Sequence, residues 1–160
     1  MKKFIASVFF LMSMSQAHAV NFEYKKVNDF KVLSSFNNVH EFEESYAPYI
    51  QNCLDHTGGG TGGISCFIGS KLWDRELNIY YKKLDAILKD KEKSLLKESQ
   101  RAWIKERDAS MEFNSILLNR DYSKQGTMYA LMRAGKVDEM ITPIIKERAL
   151  VLKRWYELLQ

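Results

Sequence analysis

The sequence predicts an all-α protein, a small bundle of four or five helices tied by one disulfide. Three observations carry that expectation. Apolar residues recur at steps of three and four along most of the chain. No alternating strand pattern or hairpin turn interrupts them. The composition, 46% apolar and 28% charged in 160 residues with only two prolines, suits one globular domain with its own core and excludes a disordered or low-complexity chain.

The N-terminus reads as an export signal. Met1, Lys2 and Lys3 are followed by a mostly apolar run over residues 4–14, and Ala17-His18-Ala19 is a small-x-small cleavage pattern, so cleavage is expected after Ala19. The run is shorter than the roughly 20 residues a membrane-spanning helix needs. The mature chain is therefore expected in the periplasm or secreted, with residues 1–19 removed, 20–50 as a partly irregular lead-in and 51–160 as the helical domain. Losing Lys2 and Lys3 leaves 22 basic against 20 acidic residues. Lys82, Lys83, Lys89, Lys91 and Lys93 are interleaved with Asp85, Asp90 and Glu92, which reads as a solvated helix face and speaks against a nucleic-acid partner.

A helical pattern begins at Glu41 and runs through Tyr46, Tyr49, Ile50 and Cys53. It stops at the glycine-rich stretch from Gly58 to Gly63, which is expected to form a flexible loop. Trp73, Leu77, Tyr80, Leu84 and Ile87 then mark one face of a helix over about 67–89. A third helix over 91–118, with Asp90 as N-cap, carries Leu96, Trp103, Phe113 and Leu117 on one side. After a polar break at 119–126, a short helix over 127–133 is expected to end near Gly135. A last helix follows from Asp138, with Pro143 in its first turns and Ile141, Ile145, Leu152, Trp155 and Leu159 as its stripe.

Cys53 and Cys66 are the only cysteines, and in an exported chain two thiols are expected to pair across the glycine loop. Zinc ligation by Cys53, His56 and Cys66, with His40 as a fourth ligand, is the alternative. Gly58, Gly60 and Gly63 match G-x-G-x-x-G in spelling, but no preceding strand supports dinucleotide binding. No cofactor is expected. The enzyme signatures of serine hydrolases and zinc proteases are absent, and a carboxylate pair such as Glu106 and Asp108 is the remaining resource for acid–base chemistry. A non-enzyme is the reading adopted.

Two polar rows run beside core positions. Asp74 and Asn78 are four apart, and Gln100, Trp103 and Arg107 form a second stripe with Arg101 and Asp108 beside it. They are expected to join the second and third helices through hydrogen bonds and ion pairs. With Leu77, Tyr81 and Leu84 these residues spell D-x-x-L-N-x-x-Y-x-x-L and Q-R-x-W-x-x-x-R-D, and over about residues 53–155 the chain resembles the LprI-like lysozyme-inhibitor family. Many members carry a third cysteine after the Arg-Asp pair and a fourth in the final helix. Ser110 stands in the third place here and no fourth follows, which leaves Cys53 and Cys66 as a self-sufficient pair.

The resemblance implies an exported helical protein that binds lysozyme or another peptidoglycan hydrolase, and it implies an architectural role for the motif residues. The loops at 58–63 and 119–126 are the candidates for reaching a partner, with Thr61, Arg120 and Lys124 as contacts. The alternative is an envelope stress or immunity protein that binds another exported protein, with Trp155 and Tyr156 as candidate contacts. The stripe through Leu152 and Leu159 instead favours Trp155 in the core.

Overall fold

The computed structural model describes residues 22–160, so the expected signal segment lies outside the described residues. Four α-helices follow one another, α1 (Val39–Thr57), α2 (Gly69–Ile87), α3 (Asp90–Asp121) and α4 (Thr127–Leu158). Short 3-10 turns occupy Val27–Asp29, Leu33–Ser35 and Gly60–Cys66, and no strand occurs among the described residues.

α1 starts two residues earlier than its apolar pattern, because its start is set by polar caps. Asn38 Oδ1 accepts from the Glu41 N–H at 2.9 Å, while the Glu41 carboxylate accepts from the Asn37 N–H at 3.1 Å. The helix ends at Gly58, whose φ of 64° is the left-handed conformation that favours glycine. The glycine-rich stretch is not a free loop. Gly58, Gly59 and Gly60 all take positive φ, and the chain then winds into the 3-10 turn Gly60–Cys66.

α2 is the central element. Leu72, Trp73, Leu77, Tyr80 and Leu84 are buried against Ile141, Ile145, Ala149 and Leu152 of α4, its principal packing partner. α1 meets this pair through aromatic rings, Phe42 lying edge-on to Trp73 at 5.1 Å and to Tyr46 at 5.4 Å. Lys146 of α4 closes the same seam on Glu43 of α1 at 2.8 Å. The N-terminus of α2 has no cap of its own; Asp138 of α4 accepts from the Ser70 N–H at 3.0 Å and supplies one.

α3 departs from expectation at its start. Lys89 is the N-cap, and its N–H donates to Glu92 at 2.8 Å, so Asp90 is the first helical residue; its charge still favours the positive end of the helix dipole. Phe113, expected on the core stripe, is 60% exposed, because α3 packs chiefly on α4 and turns this part of its surface outward.

The largest difference lies in α4, where the expected short helix and the expected last helix are one continuous helix of 32 residues. Gly135 does not end it. A side chain there would lie 2.8 Å from Phe67 Cζ, so glycine gives close approach to the preceding loop. Pro143 sits well inside the helix, where it removes one backbone hydrogen bond while burial of Ile141, Ile145 and Ala149 on α2 holds the helix through it.

Residues 22–38 are docked on the bundle. Arg75 Nη1 donates to the carbonyls of Val27 (2.6 Å) and Phe30 (2.7 Å), and its Nη2 to that of Lys31 (2.9 Å). The guanidinium is held in turn by Glu76, 2.7 Å away and 1% exposed. Leu33 is buried in the core, with Phe30 and Phe36 packed beside it.

Candidate partner-binding face

The two loops named from the sequence lie at one end of the molecule. Cys53 and Cys66 are bonded to each other, with Cα atoms 5.6 Å apart, which ties the last turn of α1 to the turn Gly60–Cys66 and leaves neither sulfur for a metal. That turn rests on the start of α4. A side chain at Gly60 would lie 3.5 Å from Thr127 Cβ, and one at Gly63 would lie 2.9 Å from Leu131 Cδ1. The expected break at 119–126 is shorter than its polar composition implies: α3 runs on through Asp121, which puts Arg120 in its last turn, and only residues 122–126 connect it to Thr127, so this connection and the disulfide-bonded turn flank the same helix N-terminus.

Thr61, Arg120 and Lys124 are all exposed at this end. Lys124 Nζ stands 5.8 Å from the Tyr129 ring, and Arg133 Nη2 donates to the Tyr122 carbonyl at 3.1 Å, which fixes the loop to α4. None of the three candidate contacts takes part in an ion pair among the described residues. The face therefore presents two exposed cations beside a turn stiffened by a covalent bond, a combination that can meet carboxylates in a partner's cleft at modest ordering cost.

The motif residues are placed elsewhere, and they do not join α2 to α3 as expected. Asn78 Nδ2 donates to the Asp74 carboxylate at 3.0 Å and to the Asp74 carbonyl at 2.8 Å, both within α2. Leu77 is buried and Tyr81 packs at the core edge, while Arg101 is exposed. The second motif converges on Arg148 of α4, a residue sequence reasoning missed. Arg148 Nε donates to Gln100 Oε1 at 2.9 Å and its Nη2 to Ser99 Oγ at 3.1 Å. The guanidinium lies 5.9 Å from the Trp103 ring and 5.4 Å from the Trp155 ring, and Arg107 lies 5.2 Å from Trp103. Arg107 in turn donates to Asp108 at 2.7 Å.

Arg107, Trp103, Arg148 and Trp155 thus form a ladder of alternating cations and indoles; Arg148 holds α3 to α4 through Gln100, Ser99 and Trp103, while Arg107 and Asp108 extend the ladder along α3 itself. Its only sequence signal was the regular step of the polar row, which names no partner helix. Burial lowers the pKa of Arg148, though a guanidinium remains charged throughout the ordinary pH range. Trp155 is not a core residue. It is 40% exposed beside the ladder, where it borders an apolar groove of about 400 Å³ with Leu88, Leu95 and Leu158. Tyr156 is half-buried, 6.3 Å from Tyr80.

Against this geometry, the family model described as "Lysozyme inhibitor LprI" matches residues 68–147, half of the chain. The chain belongs to the LprI lysozyme-inhibitor family. The matched span runs from the start of α2 through the ladder of α3 to the middle of α4; it includes residues 119–126 and excludes the disulfide-bonded turn. No match was found among curated proteins or among solved structures. No helix among the described residues is long and apolar enough to cross a membrane.

Proposed function

We propose that this LprI-family chain is exported to the cell envelope and inhibits a lysozyme-type peptidoglycan hydrolase without turning over substrate itself. The face formed by residues 58–63 and 119–126 enters the target's cleft, with Arg120 and Lys124 directed to its acidic groups and Thr61 to its polar rim. The observation that carries this reading is the family membership taken with the junction of the two loops at the start of α4, where Gly60 meets Thr127. Charge complementarity between exposed lysine or arginine and cleft carboxylates supports it.

The test adds oxidised residues 20–160 to lysozymes of different classes in a cell-wall clearing assay. Inhibition near a one-to-one ratio is expected, with no clearing by the chain alone. Arg120→Ala with Lys124→Ala should raise the inhibition constant about tenfold, the loss of one or two charge-assisted contacts, and leave the melting temperature unchanged. An unaltered constant would remove this face from the mechanism.

The exposure of Trp155 favours a second reading, an envelope stress or immunity protein that binds another exported protein at the opposite end of α4. Loss of a specific partner on Trp155→Ala, together with no effect on any lysozyme, would select it.

A further inference from the structure

Arg148 is a buried cation that the fold leaves without an acid. It is 8% exposed, yet both its protein hydrogen bonds go to neutral oxygens, and no carboxylate forms an ion pair with it among the described residues. Two indoles spread its charge but do not neutralise it. A guanidinium offers five donors in a planar fork, and here Nη1 has no protein acceptor. That nitrogen is not among the sealed, unpaired side-chain atoms, which are Trp73 Nε1, Asp85 Oδ1, Arg133 Nε and Thr142 Oγ1.

The side chain lines a groove of about 360 Å³ between α3 and α4, with Trp103, Ser110 and Ile144 in its wall. Glu106 and Glu147 also line it; both are exposed and neither takes part in an ion pair among the described residues. The groove therefore holds one unmatched cation and two unmatched anions within the volume of a small-molecule site. A simple anion would meet Arg148 but be repelled by the two glutamates. A simple cation would pair with the glutamates and leave Arg148 unmatched.

We infer that the groove between α3 and α4 binds a compact zwitterion, an α-amino-acid group either free or carried on the side chain of a peptide. Its carboxylate sits on Arg148 and its ammonium between Glu106 and Glu147. The excess of one negative charge in the groove ranks ligands: a diamino acid such as lysine binds more tightly than alanine, and glutamate binds least. This inference is independent of the lysozyme reading.

Trp103 and Trp155 flank Arg148, so their fluorescence reports occupancy in the oxidised chain. Titrations with lysine, alanine and glutamate are compared with acetate and methylamine as half-ligands, and with a peptide that carries a second amino-carboxylate centre on a side chain. Saturable binding of lysine and alanine is expected, with each half-ligand weaker by about tenfold or more, the effect of losing one charge-assisted contact. Tighter binding of the peptide than of free lysine would identify a peptide-borne group as the natural source; the reverse would identify a free amino acid.

Glu106→Gln with Glu147→Gln, both surface changes that leave the ladder intact, should weaken alanine about tenfold and strengthen acetate. Acetate binding as tightly as alanine to the unsubstituted chain would overturn the inference. So would the absence of saturation up to about 50 mM lysine, the range in which one or two such contacts become measurable.

Discussion

Gly135 sits inside a 32-residue helix because Phe67 fills the space its side chain would take. Two effects compete on Gly135→Ala. Helix propensity favours alanine by about 1 kcal/mol, but a methyl group 2.8 Å from Phe67 Cζ forces the ring and its loop outward. Three carbons of the ring crowd that methyl group, at 2.8, 3.2 and 3.5 Å, so the clash wins, and a net loss of about 1 kcal/mol is expected in denaturant unfolding. Adding Phe67→Leu should recover it; a variant as stable as the parent would show that the ring moves freely. Tyr80 offers a second test at this scale. Burial, together with the nearby charges of Glu76 and Glu157, pushes its pKa up to about 12 from an ordinary 10. Between those values the unfolded chain gives up the proton and the folded chain keeps it. The contribution is therefore fully present below pH 10 and is lost as pH rises to 12, by on the order of 2–3 kcal/mol. Tyr80→Phe should flatten that part of the alkaline stability curve, and an unchanged slope would refute the assignment.

The elements were legible where packing repeats and illegible where one contact decides. The stripe Trp73, Leu77, Tyr80 and Leu84 outlines α2 because every third or fourth residue meets the core. Gly135 carries a local signal for a helix end and Pro143 one for a position near a helix start, and close approach to Phe67 and burial against α2 override both. The docked segment over 22–38 is equally hidden in the sequence, since Arg75 holds it through backbone carbonyls, which leave no side-chain pattern. Arg75→Ala should do two things. It frees three carbonyls to solvent, so trypsin should cut at Lys25, Lys26 and Lys31 well before it cuts the bundle. It also strands Glu76, which is 1% exposed, at a cost of about 3–5 kcal/mol. Arg75→Ala with Glu76→Gln separates the two effects: much of the stability returns while the early cleavage persists. Early cleavage that vanished along with the instability would mean that the segment is held by its apolar residues alone.

At the scale of the molecule, the architecture and the disulfide could be read from periodicity and cysteine count, and the family motifs were recognisable as a regular polar row. The partner of that row could not be read, because Gln100 and Trp103 meet Arg148 from 45 or more residues away, and spacing within one helix carries no such information. The two candidate loops were likewise separate in sequence, and the packing of the turn Gly60–Cys66 on α4 is what makes them one face. The division between core and face sets the outcome of breaking the disulfide. The α2–α4 core does not include the bridge, so Cys53→Ala with Cys66→Ala should remain helical and fold cooperatively, with stability lower by about 3 kcal/mol from the larger entropy of the unfolded chain. The turn loses more than this. Held then by its packing on α1 and α4 without a covalent tie, it samples other conformations, and each productive encounter must reorder it. Inhibition measured well below the melting temperature should therefore weaken about tenfold or more in the variant although the bundle is folded, and reducing the parent should have the same effect. Equal inhibition by folded parent and folded variant would show that the bonded turn is not part of the face, and would leave residues 119–126, the end of α3 and the connection to α4, as the inhibitory element.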